Sequence, residues 1–505
     1  MSEDQLQLDS GMLQYAPKGA YYEGADEQFN RVMSMWQHLF THDRSLFCLT
    51  TLLGGTGFSK GAMTHMLLSN PQSVIGTELV VEGLAFDYES KVIRYNLDKE
   101  RTPRALKNLL MLAGGEKHSR VNNSRTRHVI LEYIFNRDHD SLDNLAVNYK
   151  GKLKTLVRHA LGKQDLFKIL NGNQKLFDKW IGRYHANAFP VLCYLFDKEE
   201  PRNQVTAYYK KVTQVLQLKA AAQAGNVEEF TKYMNGLPHL TVMGYRNTYK
   251  IPVDLDAVFK KAKVGGRQAL QMEAAAKRQG VKLEVNYKNQ DIYDLWKALY
   301  FKLSSGDLEN SDKIVDAINH QSERKEKINI GEVAVVIDAS KSMQGSETRP
   351  MHPFLTSLSI ISILDNIKSV IYVGGKNVQV DEALSAVIPS GASDLWRGLV
   401  DAVLTGTKKI LVISDGYENS PKGMFEHVYK HFKDSGYEFE LLHINPVFAA
   451  DSQQGSGRKL AKDINALPVT DYKYLETEII FNRMIENTDM VKQLLIGKYT
   501  KLIGG

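Results

Sequence analysis

The sequence predicts an all-α helical region over residues 1–328, followed by a doubly wound α/β domain over residues 329–505. In the first region, apolar residues recur at helical spacing. In the second, short β-branched runs alternate with amphipathic helical stretches, as in a parallel sheet with right-handed crossovers. An uninterrupted charged run at residues 323–327 separates the two patterns and predicts the linker between them.

Composition excludes several classes of protein. The chain has 505 residues, 43% of them hydrophobic, which is enough to bury more than one core. No apolar run approaches the length of a membrane span, and acidic Glu3, Asp4 and Asp9 stand where an export signal has basic residues. Cys48 and Cys193 are too few and too far apart for a disulfide framework or a cysteine zinc site. These features predict a soluble cytoplasmic protein.

Positive charge is concentrated in one part of the helical region. The whole chain has a net charge of +6, whereas residues 88–163 contain 16 Lys and Arg but only 8 Asp and Glu. Because a dense cluster of cations attracts a polyanion, this segment is the predicted binding surface. The alternative is a solvated basic face that binds nothing.

Helices are predicted in this segment from Thr102, from residues 122–124, from Ser141 and from Gly151. Their apolar residues face inward and leave a set of cations outside, some of them at a helix N-terminus, where a bound phosphate would relieve the unfavourable dipole interaction. The predicted ligand-binding cations are Arg104, Lys107, Lys117, His118, Arg120, Arg125, Arg127, His128, Lys152, Lys154 and Arg158. Helix pairs that start about 40 residues apart favour a HEAT-like α-solenoid.

A metal site is predicted at the start of the α/β domain. Residues 333–337 are apolar and mostly β-branched, which is typical of a buried strand, and they lead to Asp338 at its carboxyl end. Ser340 and Ser342 follow at alternate positions, so that one carboxylate and two hydroxyls lie on one side of a turn. Such oxygen donors suit Mg²⁺ or Mn²⁺.

Two later segments are predicted to join this site. Residues 409–414 form a second apolar strand that ends at Asp415, and Ser393 lies at the N-cap of an amphipathic helix. Because the carboxyl ends of parallel strands meet at one edge of a sheet, the three segments are expected to converge there. The alternative is a set of ordinary polar turns without a metal.

The pattern Asp338-x-Ser340-x-Ser342, together with Ser393 and Asp415, resembles the metal-ion-dependent adhesion site of a von Willebrand factor A domain. The resemblance implies that these hydroxyls and carboxylates hold a divalent metal with one coordination position open to a carboxylate of a partner. Ser393 stands where the family usually has Thr, so the ligand oxygen is kept and the methyl group that restricts its rotamer is absent.

The order of the two regions resembles the TROVE architecture of the Ro autoantigen family, in which a basic helical region precedes an A domain. The stretch from Leu237-Pro238 to Arg246-Asn247 is similar to a short turn of that family. The resemblance implies a ring of HEAT-like repeats that binds small noncoding Y-like RNA on its outer surface and takes single-stranded ends of misfolded RNA into its hole. The cations named above would then contact RNA.

Two other functions are alternatives to this interpretation. In the first, the helical region is a scaffold and the metal site captures an acidic residue of a partner protein, without RNA. The second is nuclease activity, but the sequence offers neither paired carboxylates for two-metal cleavage nor a Ser-His-Asp set. The sequence therefore predicts a non-catalytic RNA-binding protein of a ribonucleoprotein, with docking of a partner protein as the alternative.

Overall fold

The computed structural model of the chain describes residues 25–53, 57–69, 88–114, 120–198, 208–264, 285–306, 308–347, 349–379, 385–418, 420–447, 459–464 and 466–486, and single positions at 269–270, 273, 276, 490, 493 and 495–497. These residues fall into two units. The helical unit contains the described residues of 60–285, and the sheet unit contains those of 1–59 and 286–501.

Residues 25–264 form helices joined by turns. The helices are α1 (Ala25–His42), α2 (Arg44–Thr50), α3 (Gly57–Ser69), α4 (Tyr88–Lys99), α5 (Thr102–Leu112), α6 (Ser124–Phe135), α7 (His139–Leu170), α8 (Gln174–Phe177), α9 (Phe189–Leu195), α10 (Lys210–Gln223), α11 (Val227–Tyr233), α12 (His239–Thr248) and α13 (Leu255–Lys261). A π-helical turn, Asp178–Gly182, follows α8 directly. The predicted helical character of this region is confirmed.

Helix α7 is the main support of the helical unit, because it packs against α6, α9 and α10. Its backbone leaves helical geometry at Tyr149 and again at Gly162, whose φ of 72° is accessible to a residue without a side chain. The sequence predicts separate helices from Ser141 and from Gly151, and the structure joins them into one bent helix. The bends let successive segments of α7 follow different neighbours.

The start of α10 is capped from α7. Tyr209 occupies the N-cap position of α10 and provides no side-chain hydrogen bond. Instead, the carboxylate of Asp143 accepts hydrogen bonds from the backbone N–H groups of Lys211 at 2.7 Å and Val212 at 2.8 Å. Asp143 is only 3% exposed, so its charge is compensated by these two donors and by the positive end of the helix.

The sheet unit combines short strands with helices. Its elements after residue 285 are α14 (Ile292–Ser305), α15 (Ser311–Arg324), β1 (Val333–Asp338), β2 (Gly345–Ser346), β3 (Arg349–Pro350), α16 (His352–Ile361), β4 (Ile367–Val373), β5 (Lys376–Gln379), β6 (Ser385–Ile388), α17 (Leu395–Leu404), β7 (Lys409–Ile413), α18 (Met424–Asp434), β8 (Glu440–Asn445), β9 (Ala466–Pro468) and α19 (Leu475–Glu486).

Strands β4, β1, β7, β8 and β9 form one parallel sheet in that order. Alternate residues of β1 enter different cores: Val335 and Ile337 pack on one face, and Ala334 and Val336 on the other. Both faces of β1 are therefore buried, which explains why this central strand is a continuous apolar run, whereas the edge strand β4 alternates exposed and partly buried residues. The predicted parallel sheet is confirmed.

Two details of this unit differ from the sequence prediction. The sequence pattern of residues 459–466 predicts a helix, and this prediction is wrong, since the described residues there form turns and then strand β9. Helices α14 and α15, which the sequence groups with the helical region, belong to the sheet unit, where Ile292 and Tyr300 enter the core beside Phe354. The apolar face of α14 is thus buried on α16.

A buried carboxylate joins the start of α14 to the segment before α19. Asp291 caps α14 by accepting a hydrogen bond from the backbone N–H of Tyr293 at 3.2 Å. Its second oxygen lies 2.7 Å from Lys473 Nζ and accepts a hydrogen bond from the Tyr472 hydroxyl at 3.2 Å. Burial alone would raise the pKa of Asp291, but the charges of Lys473 and Lys325 hold it below the usual value.

Replacement Asp291→Asn is therefore expected to lower the free energy of unfolding by about 2 kcal/mol at pH 7. Because the folded-state pKa is depressed, this stabilisation exists above the ordinary Asp pKa of about 4 and disappears as the pH falls through the lower folded-state value. Urea unfolding at neutral and acidic pH measures both effects. Asp312→Asn, at an exposed position in the first turn of α15, is the matched control. An equal loss at both pH values would contradict the ion-pair explanation.

Candidate metal centre and nucleic-acid interface

The predicted metal ligands lie at the carboxyl ends of β1 and β7, next to the point where the order of strands in the sheet reverses. From β1 the chain continues to β4 on one side, and β7 then adds to the other side of β1. The carboxyl ends of β1 and β7 are therefore neighbours at a topological switch point, the usual ligand position in open α/β sheets. Asp338 ends β1, and Asp415 lies two residues after β7.

Asp338 is at the centre of this group. Its side chain is fully buried, and its Oδ1 atom accepts a hydrogen bond from the backbone N–H of Ser340 at 2.8 Å. Its Oδ2 atom accepts a hydrogen bond from the Ser393 hydroxyl at 3.2 Å. The Ser340 hydroxyl lies 3.0 Å from that of Ser342, which is exposed. Four of the five predicted ligands are thus linked through hydrogen bonds around one carboxylate.

Ser393 reaches this position because α17 lies close to the sheet. A Cβ atom at Gly398 would lie 2.5 Å from Val373 Cγ2 and 2.6 Å from Val336 Cγ1, so only glycine permits this approach. The N-cap position of α17 belongs to Asp394, which makes no side-chain capping bond. The Ser393 hydroxyl is therefore directed to Asp338 rather than to the helix, which corrects its predicted N-cap role.

Asp415 is held by residues that the sequence analysis did not single out. Its Oδ1 atom accepts a hydrogen bond from the backbone N–H of Tyr417 at 2.9 Å, and its carbonyl accepts one from Asn445 Nδ2 at 3.2 Å. Asn445 lies at the end of β8 and is fully buried. The sequence signal for this support is the polar residue that closes an apolar strand next to β7.

A neighbouring Ser-His pair does not form a catalytic site. Ser414 Oγ lies 3.0 Å from His443 Nε2, but both side chains are fully buried and out of reach of a substrate. The other ring nitrogen, Nδ1, has no hydrogen-bond partner among the described residues, so the third member of a triad is missing. Burial lowers the pKa of His443 to about 4 and keeps the ring neutral.

The electrostatics of the site fit a divalent cation. Burial raises the pKa of Asp338 to about 7, and the negative charge of Asp415 adds to the shift. No Lys or Arg within the described ranges forms an ion pair with Asp338. The same ranges contain no group of three or more His, Cys, Asp or Glu placed to hold a metal, so a metal at this site would need serine hydroxyls in addition to the two carboxylates. Oxygen-only donors of this kind suit Mg²⁺ or Mn²⁺.

The predicted cations of the helical unit lie in different environments. Lys117 and His118 lie outside the described residues. Ion pairs hold Arg104 to Glu100 at 3.4 Å, Arg125 to Glu89 at 2.7 Å and Lys154 to Asp197 at 3.1 Å. Lys107 is exposed, and Lys152 Nζ donates to the carbonyl of Pro103 at 3.5 Å. A carboxylate already compensates three of these charges.

Other predicted cations surround Trp180, in a group of residues that we call the Trp180 patch. The patch consists of Arg127, His128, Lys179, Trp180, Arg183 and Tyr184. The Arg127 guanidinium lies 5.5 Å from the Trp180 ring centre, and Lys179 Nζ lies 4.9 Å from it. Arg183 lies 5.3 Å from the ring of Tyr184. Among the described residues, no carboxylate forms an ion pair with any of these three cations.

His128 shows that the patch has a positive potential. Its Nδ1 atom lies 3.0 Å from the Tyr184 hydroxyl. The pKa of His128 is lowered, first by burial and then by the charges of Arg183 and Lys179. The ring is therefore neutral at pH 7, and a bound anion would favour its protonation. The patch thus combines three permanent charges with one that depends on the ligand.

Arg120 and Arg158 complete the predicted set. Arg120 is exposed, and its Nε donates to His159 Nδ1 at 3.2 Å. The other nitrogen of His159 lies 2.7 Å from the carbonyl of Val121, so Nε2 carries the proton and Nδ1 accepts. Arg158 is exposed and lies 5.8 Å from the ring of Phe196. Neither arginine forms an ion pair with a carboxylate in the described ranges.

Sequence analysis missed Lys179, Arg183 and Tyr184 as members of the patch. The spacing of Phe177, Trp180 and Ile181 predicts Trp180 as a core residue, which agrees with its 6% exposure. The available signal was the spacing of four between Lys179 and Arg183, which places both on one side of a helical turn. Their proximity to α6 depends on a tertiary contact, between Trp180 and Arg127, that local spacing does not reveal.

No helix among the described residues is both long and apolar enough to cross a membrane.

Comparisons with family models, curated proteins and solved structures relate the chain to known proteins. No family model and no curated protein matches the chain. Among solved structures, the chain is similar to the Ro (RSR) protein of Deinococcus radiodurans, with 13% sequence identity, a TM-score of 0.47, and coverage of 89% of this chain and 93% of that one.

Proposed function

We propose that this chain is a non-catalytic RNA-binding protein and that the Trp180 patch forms part of its RNA-contacting surface. The observation that carries this proposal is the group of three cations, Arg127, Lys179 and Arg183, that no carboxylate in the described ranges compensates. Cations that lack such partners release counterions when they meet phosphates, which favours binding of a nucleic acid. Titration of single-stranded RNA at increasing salt tests it, since an affinity that is insensitive to salt would contradict the proposal.

The aromatic rings favour RNA over a simple polyanion. The guanidinium groups of Arg127 and Arg183 lie 5.5 and 5.3 Å from the centres of aromatic rings. Guanidinium groups stack on unpaired bases while their N–H groups bind phosphates. The ligand class that fits best is therefore single-stranded RNA, including unpaired segments of small noncoding Y-like or misfolded RNA. A ring of HEAT-like repeats would present such a surface, and it belongs to the same proposal.

The second part of the proposal concerns the metal site. Asp338, Ser340, Ser342, Ser393 and Asp415 would hold Mg²⁺ or Mn²⁺ at the edge of the sheet, as in a von Willebrand factor A domain. The metal would supply positive charge that offsets the two buried carboxylates. It would give the unit a binding position for an acidic group, and the buried Ser414–His443 pair gives no route to catalysis.

Docking of a partner protein is a second candidate function. Ser342 and the adjacent Lys341 are exposed, so this side of the metal site is open to a ligand. An acidic side chain of a partner would complete the coordination and pair with Lys341. Under this function, chelation of the metal would release the partner and leave RNA affinity unchanged.

RNA affinity is expected to rise by about threefold to tenfold as the pH falls from about 8 to about 6. The free protein holds the pKa of His128 below its ordinary value. A bound phosphate raises that pKa, so binding takes up a proton and becomes stronger at lower pH. Fluorescence anisotropy with a labelled single-stranded RNA measures the effect.

His128→Gln should remove this pH dependence. His427→Gln, at an exposed position on α18, should retain it and serves as the matched control. An affinity of the wild-type protein that falls with decreasing pH would contradict the role of His128.

A further inference from the structure

A cleft between α4 and α6 in the helical unit has no assigned role. Its volume is about 140 Å³, and Leu97 and Val129 form its apolar floor. Since a water molecule occupies about 30 Å³ in the liquid, the cleft holds the equivalent of four or five waters. This volume suits a small planar molecule of one or two rings rather than a peptide or a lipid.

Two guanidinium groups lie at the rim of the cleft. Arg94 lies 3.0 Å from Glu132, in an ion pair along one side. On the other side, Arg137 Nε donates to the carbonyl of Tyr133 at 3.0 Å, and its guanidinium lies 4.8 Å from the ring of that tyrosine. Arg137 is therefore held in place before a ligand binds, which lowers the entropic cost of binding, whereas the Arg94 side chain is 55% exposed.

An exposed carboxylate belongs to the lining of the cleft. Asp98 lies on α4, one helical turn after Arg94, whereas Arg137 lies just past the end of α6. No ion pair or side-chain hydrogen bond joins Asp98 to another residue in the described ranges. Burial raises the pKa of Asp98, and the charges of Arg137 and Arg94 oppose that shift. The groups therefore lie near enough to interact electrostatically and too far apart for direct contact. A ligand between them must accept hydrogen bonds at one edge and donate them at another.

We propose that this cleft binds a guanine base. One edge of guanine carries the acceptors O6 and N7, the pair that arginine recognises with two parallel hydrogen bonds. The opposite part carries the N1–H and N2–H donors, which together match a carboxylate such as Asp98. Asn136, at the rim, offers a further donor and acceptor. The buried ring of Tyr133 forms a flat wall beside the site.

The other bases fit less well. Adenine has an acceptor, N1, where guanine has a donor, so its ring nitrogen would face the Asp98 carboxylate without a proton between them. Cytosine and uracil have a single ring and lack the N7 and O6 pair. The expected preference is guanine over adenine by at least about tenfold.

The cleft and the Trp180 patch are adjacent on α6, since Val129 and Glu132 of the cleft follow His128 of the patch within about one helical turn. A guanine could therefore come from a free nucleotide or from an unpaired position of an RNA bound at the patch. The shared chemistry is the base, and only an RNA source depends on the function proposed above.

The test measures binding of GMP and AMP to the full chain by calorimetry, and binding of single-stranded oligonucleotides that differ only by a central G or A. We expect the guanine form to bind at least about tenfold more tightly in one or both pairs. If guanine is preferred only in the comparison of GMP with AMP, the ligand is a free nucleotide. If it is preferred only in the comparison of the two oligonucleotides, the ligand is a base of a bound RNA. No preference in either pair would overturn the proposal.

Asp98→Asn should abolish the guanine preference, because it replaces the paired acceptor with a group that also donates. Asp140→Asn, an exposed position in the first turn of α7, is the matched control and should keep it. Reversal of the three charges in the Trp180 patch should weaken the binding of the oligonucleotides and leave the binding of GMP unchanged. The result with the patch variant separates failure of the cleft proposal from failure of the RNA-binding proposal. If Asp98→Asn still preferred guanine over adenine, the cleft proposal would be overturned.

Discussion

Simultaneous replacement of Arg127, Lys179 and Arg183 by Glu is expected to weaken single-stranded RNA binding by about 100-fold or more at about 0.15 M salt. Each cation lies against an aromatic ring, and none forms an ion pair with a carboxylate in the described ranges. The variant loses three phosphate contacts and places three like charges against the RNA backbone. The slope of log affinity against log salt should also fall by about 2, since each phosphate contact on a single strand contributes about 0.7.

A second triple variant separates a local effect from a change of net charge. Lys232, Lys313 and Lys422 are exposed and lie outside the patch, so their replacement by Glu changes the net charge by the same amount. This control should lose much less affinity than the patch variant. Equal losses would show that RNA responds to the overall charge of the protein, and the Trp180 patch would then have no special role.

Replacement Asp338→Asn is expected to reduce Mn²⁺ affinity by about 100-fold or more, because it removes the charge at the centre of the proposed ligand set. Titration of the full chain with Mn²⁺, followed by the paramagnetic signal of the free ion, measures the loss. Asp401→Asn, at an exposed position on α17, is the matched control and should bind as the wild type does. Wild-type affinity in Asp338→Asn would contradict the proposed metal centre.

The same variant should stabilise the metal-free protein at pH 7 by about 4 kcal/mol, since each pKa unit corresponds to about 1.4 kcal/mol. Burial raises the pKa of Asp338 to about 7, so the folded state retains a proton that the unfolded state loses near pH 4. The free energy by which this carboxyl group destabilises the folded state grows as the pH rises from about 4 to 7. Asn does not titrate and therefore avoids this destabilisation. The stability difference should disappear near pH 4, and chemical unfolding in the presence of a chelator measures it.

The grouping of the proposed metal ligands at one edge of the sheet could be predicted from the sequence because the information is local. When a buried apolar strand ends in an acidic residue, the pattern predicts that this residue lies at the carboxyl edge of the sheet. Asp338 and Asp415 each follow such a strand, so the parallel order of β1 and β7 was sufficient to bring them together. The direction of the Ser393 hydroxyl depends instead on how closely α17 approaches the sheet, which no short pattern reveals.

The cations were harder to interpret because their partners are distant in sequence. Arg125 forms an ion pair with Glu89, which is 36 residues away, and Lys154 pairs with Asp197, which is 43 residues away. Charge density alone does not distinguish these compensated residues from Arg127, which has no such partner in the described ranges. Only the packing of α6 against the π-helical turn shows which charges remain available.

The capping of α10 by Asp143 limits how the chain can be divided for experiments. A fragment that ends between α7 and α10 would remove both of the backbone N–H groups that donate to the Asp143 carboxylate. A fragment that begins at α10 would instead lose the acceptor for the first turn of that helix. Expression boundaries for the helical unit should therefore keep residues 139–223 in one polypeptide.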